Sequence, residues 1–359
     1  MTVAFYTNII SPHFLPLARE IVRQIGASNF RYIYTESLLD ENIKKGWSVN
    51  DEPYFLSERE KADEAREWLY KADVLLSGHR ALSVFDERFA QGKKTFYFSE
   101  RWFKPIFIKF PGWFRLLYPS YLKMARNFVA WAQRDAQARI FAAGPWAKKD
   151  FLRMGIPVDK IVDWGYFVES SKIEKPIRQA IGPNQRRVLR VLWVGRMLAL
   201  KRVDTLVKAV GVCLEKFPIE LTLVGDGPER NRLEALASKV LKRHSGAIHF
   251  RHSVLIQQVR GLMHEHDVYV FPSNGYEGWG AVVNEALEEG MDVIGTYECG
   301  ACPTLLSRDR LFHSGEVKAL VRLLEKEWKG ELSSCSIDGW TAKDAADRFL
   351  RICKGECKS

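Results

Sequence analysis

The stretch at 272–290, PSNGYEGWGAVVNEALEEG, limits what this chain can fold into. It follows a short apolar run at 268–271 with the composition of a buried strand. Three glycines, Gly275, Gly278 and Gly280, fall within six residues, and a helical pattern over 281–287 comes next. A strand, a glycine-rich loop and a helix start in succession predict an anion site, because free backbone N–H groups and the helix dipole converge on one spot. Two carboxylates bracket that spot, Glu277 in the loop and Glu285 on the helix, eight positions on. An anion cradle between hydrogen-bond acceptors suits a molecule with a diphosphate in its middle and hydroxyls at both ends. A nucleotide-sugar is such a molecule.

The remainder of the chain supplies a matching frame. Strand patterns at 2–8, 31–35, 74–77 and 95–99 alternate with helical patterns at 13–26, 58–71 and 83–91. A strand at 139–142, a helix at 145–154 and a short strand at 162–166 follow. A polar stretch at 170–187, with prolines at 176 and 183, reads as a linker. Beyond it the alternation resumes: strands at 190–194, 220–224, 247–251, 268–271 and 292–296, helices at 204–217, 230–242, 257–266 and 316–328, a helix start at 300–306, and a last helix within 336–353. This alternation predicts doubly wound α/β layers, whose ligands gather beyond the carboxyl ends of the strands. A length of 359 residues suggests two domains.

Composition narrows the class. With 47% hydrophobic and 27% charged residues the chain is globular, and no apolar run approaches the ~20 residues that span a bilayer. The start, MTVAFYTNIISPHF, has neither a basic opening nor a cleavage site and is not expected to be a signal peptide. The six cysteines read as reduced cytosolic thiols, and Cys299-x2-Cys302 as two loop thiols rather than a metal or redox pair. The net charge of +10 admits nucleic acid, an acidic ligand or an anionic membrane as partner. The segment 101–131 mixes Arg101, Lys104, Lys109, Arg115, Lys123 and Arg126 with aromatic and aliphatic residues and has no acidic residue. That pattern suits an anionic membrane surface, or a helical insertion whose aromatics pack on the first domain. Interleaved bases and aromatics also occur in single-strand binders, but nucleic acid is not the expected partner.

The central string, PSNGYEGWGAVVNEALEEGMDVIGT, resembles the Glu-x7-Glu signature of retaining glycosyltransferases of family four, which have the GT-B fold. The family reads proline-serine, a glutamate, a glycine pair around an aromatic, then a second glutamate leading into alanine, glycine and a strand. Gly195-Arg196 at a strand end with Lys201 a few positions on is similar to a further family pattern, as is Gly225-Asp226-Gly227-Pro228 before an amphipathic helix. The resemblance is dense over 188–300 and a matter of pattern over the first domain. It implies an α/β fold of two Rossmann-like doubly wound domains facing a cleft. These would be an acceptor-binding domain at 1–170, a linker at 171–187, a nucleotide-sugar domain at 188–335 and a final helix, 336–359, crossing back to the first domain.

The resemblance also implies roles. Gly195, Arg196, Lys201 and the loop around Gly278, Trp279, Gly280 and Ala281 would hold the donor diphosphate, Glu277 the hydroxyls of the donor sugar, and Glu285 the ribose. No Asp-x-Asp occurs in the chain, so the leaving group is expected to be held without metal or other cofactor, by Arg196, Lys201 and backbone N–H groups. The nucleobase pocket is expected near 251–254, where no residue separates uracil from guanine. UDP is the expected carrier over GDP. At the strand ends of the first domain stand His13, an expected donor to the transferred sugar or the acceptor, with Asn8, His79 and Glu100. Here the chain departs from many relatives: Ser11-Pro12 replaces a glycine pair, and Ser99-Glu100 stands where a His-Asp pair is common. The implied function is retaining, metal-independent transfer of a hexose-type sugar to a glycan or lipid-linked acceptor in cell-surface polysaccharide synthesis. The expected location is cytoplasmic, peripheral to the inner membrane face if 101–131 meets lipid. The alternative is a GT-B-shaped scaffold subunit without turnover. The presence of Arg196, Lys201, Glu277 and Glu285 together favours the enzyme.

Overall fold

The computed structural model describes residues 1–36, 51–104, 117–169, 188–241 and 247–356. The chain divides into two compact units, one of Met1–Glu169 with Gly339–Ser359 and one of Ser170–Asp338. The linker expected at 171–187 and the middle of the basic-aromatic segment, 105–116, lie outside the described residues.

Unit 1 is built on seven strands: β1 (Val3–Thr7), β2 (Phe30–Tyr34), β3 (Phe55–Ser57), β4 (Val74–Ser77), β5 (Lys94–Ser99), β6 (Arg139–Ala143) and β7 (Ile161–Trp164). They pair in the order β3-β2-β1-β4-β5-β6-β7, every pair parallel. Sequences such as VAFYT and VLLS suit this arrangement, since a parallel sheet is covered on both faces and its strands are apolar throughout. The helices are α1 (Leu15–Ile25), α2 (Ala62–Lys71), α3 (Leu82–Ala90), α4 (Pro119–Arg134) and α5 (Pro145–Arg153). In α1 the buried stripe is Leu15, Leu17, Ala18 and Ile21, and Gly26, at φ 85°, ends the helix where a side chain would be strained.

Unit 2 repeats the plan with β8 (Leu189–Val194), β9 (Ile219–Val224), β10 (Ile248–Arg251), β11 (Val268–Phe271), β12 (Asp292–Thr296) and β13 (Leu311–Phe312). The order is β10-β9-β8-β11-β12-β13, again parallel throughout. Its helices are α6 (Val203–Cys213), α7 (Arg230–Val240), α8 (Ile256–Glu265), α9 (Val282–Glu288), α10 (Cys302–Leu305) and α11 (Val317–Lys329). Chain order runs outward on both sides of the β8–β11 pair. That point, where the winding reverses, leaves a crevice at the strands' carboxyl ends in which doubly wound folds bind ligands.

The expected doubly wound α/β fold is observed, with three local differences in detail. The helix expected at 58–71 begins at Ala62. Glu58 instead prolongs the β3 ladder, its N–H donating to the Tyr34 carbonyl at 2.9 Å, and its carboxylate accepts from the Tyr6 hydroxyl at 3.1 Å. The edge strands β3 and β13 are three and two residues long, too short for a period to show in sequence. The last helix, α12 (Ala342–Lys354), begins well inside the expected span. Thr341 caps it, accepting from the Asp344 N–H at 3.1 Å while the Asp344 carboxylate accepts from the Thr341 N–H at 3.2 Å.

α12 belongs to unit 1. Its Phe349 is fully buried, with ring centroids 5.7 Å from Phe5, 5.9 Å from Phe96 and 5.7 Å from Phe141 on three strands of the unit 1 sheet. Phe349→Ala removes the ring that joins them and is expected to cost about 3–5 kcal/mol. Urea denaturation of the two proteins, followed by near-UV circular dichroism, measures the loss. A cost below about 1 kcal/mol would mean that the sheet is covered without this helix.

Candidate active site

Three loops leave the carboxyl ends of β8, β9 and β10 and are stitched together by backbone. The Met197 N–H donates to the Asp226 carbonyl at 2.9 Å and the Glu229 N–H to the Met197 carbonyl at 3.0 Å. The approach is so close that a Cβ on Gly225 would stand 1.9 Å from the Gly195 carbonyl oxygen, and one on Gly227 2.5 Å from that of Met197. Only glycine fits at either position. The Asp226 carboxylate draws in the third loop, accepting from the Ser253 N–H at 2.8 Å, from His252 Nδ1 at 2.8 Å and from Arg230 at 3.1 Å. The Ser253 N–H first, then His252, hold this carboxyl far below the usual carboxylate range. The Gly-Asp-Gly-Pro turn is thus the clamp that places Arg196 and the 251–254 segment. Arg196 is exposed, and its side chain makes no hydrogen bond or ion pair among the described residues.

From the other side of the switch point comes the loop after β11. Its Asn274 N–H donates to the Leu200 carbonyl at 2.9 Å, tying it to the turn that carries Lys201. The Asn274 side-chain oxygen accepts from the Tyr276 N–H at 3.1 Å and its carbonyl from the Glu277 N–H at 3.0 Å, which shapes the loop up to Glu277. Lys201 Nζ donates directly to the Glu277 carboxylate and lies 5.5 Å from the centre of the Phe271 ring. Two residues 76 positions apart in sequence therefore form one ion pair at the switch point.

Trp279 is buried, its Nε1 donating to Asn284 at 2.8 Å, so its contribution to the loop is packing together with backbone. Gly280 has φ 96°, and a Cβ there would lie 2.7 Å from the Phe271 ring. Gly278, Gly280 and Ala281 lead into α9, whose first turn carries Glu285. The Glu285 carboxyl makes no hydrogen bond or ion pair among the described residues, and burial pushes it up to about 7. Its neighbour Glu289 is fully engaged, bonded to His264 at 2.6 Å and Arg260 at 3.3 Å, and braces α9 against α8. Cys299 and Cys302 are both free and buried: Cys299 donates to the Trp279 carbonyl, and Cys302 packs under Gly295.

Sequence reading missed Tyr269 and Asn274, and named Asp226 in its turn without its clamping contacts. The buried Tyr269 hydroxyl donates to the Val194 carbonyl at 2.9 Å, locking β11 to the end of β8. A tyrosine inside an apolar strand was the available signal, since a buried hydroxyl needs a partner.

The other expected residues lie in unit 1. His13 immediately precedes Phe14, the residue before α1, and its ring centre is 5.9 Å from that of Tyr166. Burial pulls its imidazole down to about 4, so the ring is neutral at pH 7. Glu100 accepts from Lys104 at 2.6 Å and from the Tyr166 hydroxyl at 3.2 Å. His79 lies 4.6 Å from the Tyr6 ring, and Asn8 is exposed at the end of β1. In the basic-aromatic segment, Trp102, Phe103, Phe128 and Trp131 are core residues of unit 1. Arg101 is paired with buried Asp150 at 3.7 Å. For these residues the packing alternative holds.

Residues 189–326 match the family model of glycosyl transferases group 1. The matched span contains Arg196, Lys201, Glu277 and Glu285. An uncharacterized glycosyltransferase of Methanocaldococcus jannaschii is 31% identical over 132 residues, 36% of this chain and 33% of that protein. The match thus spans about a third of the length of that curated relative. The solved structure of the lipopolysaccharide outer core galactosyltransferase WaaB is similar over 99% of this chain and 100% of that one, with TM-score 0.70 at 15% identity. HepE of Anabaena, in complex with UDP, is similar over 99% and 98%, with TM-score 0.62 at 17% identity. Likeness at such identities is likeness of fold, and the fold is GT-B.

The raised Glu285 carboxyl makes stability depend on pH. The folded chain keeps a proton on Glu285 between the ordinary value of 4.5 and about 7, where the unfolded chain has released it. The stabilisation is therefore complete below the lower value and lost as pH rises through the upper one. Glu285→Gln keeps a neutral side chain at every pH. Relative to wild type, the variant is expected to gain stability between pH 5 and pH 8 in urea denaturation. A constant difference would mean that Glu285 is already ionised at pH 5.

Proposed function

We propose that this chain is a retaining glycosyltransferase that moves a hexose-type sugar from a nucleoside-diphosphate sugar to a glycan or lipid-linked acceptor in cell-surface polysaccharide synthesis. The observation that carries the reading is the Lys201–Glu277 ion pair at the β8–β11 switch point, with exposed Arg196 on the same loop as Lys201. Arg196 and Lys201 would hold the diphosphate and stabilise it as it departs, helped by N–H groups of the loop at 278–281. Glu277 would accept from sugar hydroxyls, and Glu285, whose carboxyl has no other partner among the described residues, from the ribose. In the proposed reaction the bond from the sugar's anomeric carbon to phosphate breaks as the acceptor oxygen bonds to the same face, and the departing phosphate takes the acceptor's proton. Neutral His13 would donate to the sugar or the acceptor. HepE has been solved with UDP-glucose, which makes UDP-hexoses the first donors to test. The scaffold alternative, a subunit without turnover, predicts no reaction with any of them.

Release of nucleoside diphosphate from a panel of UDP- and GDP-sugars tests the reading and names the base. Arg196→Ala and Lys201→Ala are each expected to lower turnover by roughly 10²-fold or more, Glu277→Ala to impair transfer, and Glu285→Ala to weaken nucleotide binding. Activity should persist in chelator. Wild-type turnover in all four variants would overturn the site, and a strict need for added magnesium or manganese would overturn metal independence.

A second reading, peripheral docking on an anionic membrane at the cytoplasmic face, rests on the start of α4. Leu117 and Tyr118 are 72% and 66% exposed, and Lys123 and Arg126 are exposed one and two turns on. Each base near an anionic leaflet contributes about 1 kcal/mol. Lys109 and Arg115 lie outside the described residues, and Lys104 is held by Glu100, so the discriminating variant is Lys123→Glu with Arg126→Glu. Wild type is expected to sediment with phosphatidylserine vesicles at low salt, and the double variant to remain in the supernatant while folded. Wild type in the supernatant would leave a soluble acceptor.

A further inference from the structure

Lys201 and Glu277 both act in the donor site of the proposed transferase, and a second role for the pair rests on that reading. In this structure they are bonded to each other, with side chains only 20% and 19% exposed. The contact is fixed from both sides. Asn274 bonds the two loops through the Leu200 carbonyl at 2.9 Å and sets the Glu277 backbone at 3.0 Å, and the Phe271 ring lies beside the ammonium. A diphosphate that reaches Lys201 therefore meets a carboxylate already there, whereas Arg196 is open to it.

The two molecules that carry such a diphosphate differ in how they settle this competition. A nucleotide-sugar brings phosphate oxygens for Lys201 and sugar hydroxyls for Glu277, so each member of the pair finds a new partner. A free nucleoside diphosphate brings the phosphates, with more negative charge, and no hydroxyls. Glu277 would then be a largely buried carboxylate facing an anion without a donor, and an unpaired buried charge is strongly disfavoured.

We propose that the Lys201–Glu277 pair discriminates the intact nucleotide-sugar from the free nucleoside diphosphate. When the sugar leaves with the acceptor, Glu277 loses its hydroxyl donors and returns to Lys201, weakening the hold on the product. The glutamate that grips the donor sugar thereby also drives release of the leaving group. The direction of this effect is opposite to that of an ordinary binding contact.

The test is calorimetric titration of the whole chain with UDP and UDP-glucose, and with GDP and GDP-mannose, for wild type and Glu277→Gln. The glutamine keeps the shape and removes the charge. For whichever base binds, Glu277→Gln is expected to bind the free nucleoside diphosphate roughly tenfold more tightly, and the nucleotide-sugar no more tightly than wild type does. Product inhibition should deepen by a similar factor. Glu277→Asp, which keeps the charge but shortens its reach, is expected to fall between the two and serves where the glutamine variant does not fold. A folded Glu277→Gln or Glu277→Asp that binds the free diphosphate no more tightly than wild type overturns the proposal while leaving the donor site standing. A wild-type chain that binds none of the four ligands overturns the donor-site reading, and this inference with it.

Discussion

The carbonyl oxygen of Gly195 occupies the place where a side chain on residue 225 would begin. This contact between two backbones fixes how the loops beyond β8 and β9 can run. Asp226 is carried along with it and fastens the loop beyond β10 through Ser253 and His252. On the other side of the switch point, Tyr269 pins β11 to Val194, and Asn274 pins the following loop to Leu200. The charged groups of the site thus stand on a backbone lattice that was settled before any of them meets a ligand. Preorganisation of this kind is what lets a cation stabilise a departing anion without first having to move.

The fold was legible because both sheets are parallel throughout, so their strands are apolar runs separated by helices. β11, apolar throughout and bounded by Asp267 and Pro272, was read to the residue, and β12 likewise. What failed to show was short or decided from a distance. β3 has three residues and depends on pairing with β2, while Glu58 is drawn out of the helical pattern by the Tyr34 carbonyl and the Tyr6 hydroxyl. In the candidate site, local sequence showed the glycine-rich loop and both glutamates. It could not show that Lys201 and Glu277 bond to one another, because a contact across 76 residues is set by strand order alone. Nor could it show the Asp226 clamp, since Gly-Asp-Gly-Pro is also an ordinary turn.

The segment at 101–131 shows where composition misleads. Basic and aromatic residues without acids describe an interface equally well whether the aromatics face lipid or protein. Period separates the cases: Tyr121, Ala125, Phe128 and Trp131 lie on one face of α4 and pack into the unit 1 core, while Lys123 and Arg126 point elsewhere. Leu117 and Tyr118 remain outside that core. The membrane reading therefore narrows from a 31-residue segment to one end of a helix.

Because Gly339–Ser359 closes unit 1, unit 2 is an insertion within it. The ribosome delivers the strands of the first sheet, then the whole of the second unit, and only afterwards Phe349, whose ring completes the aromatic cluster with Phe5, Phe96 and Phe141. The half of the protein synthesised second can reach its final form first. Until α12 emerges, one face of the earlier sheet waits with its phenylalanines uncovered, a surface for chaperones to shield during synthesis.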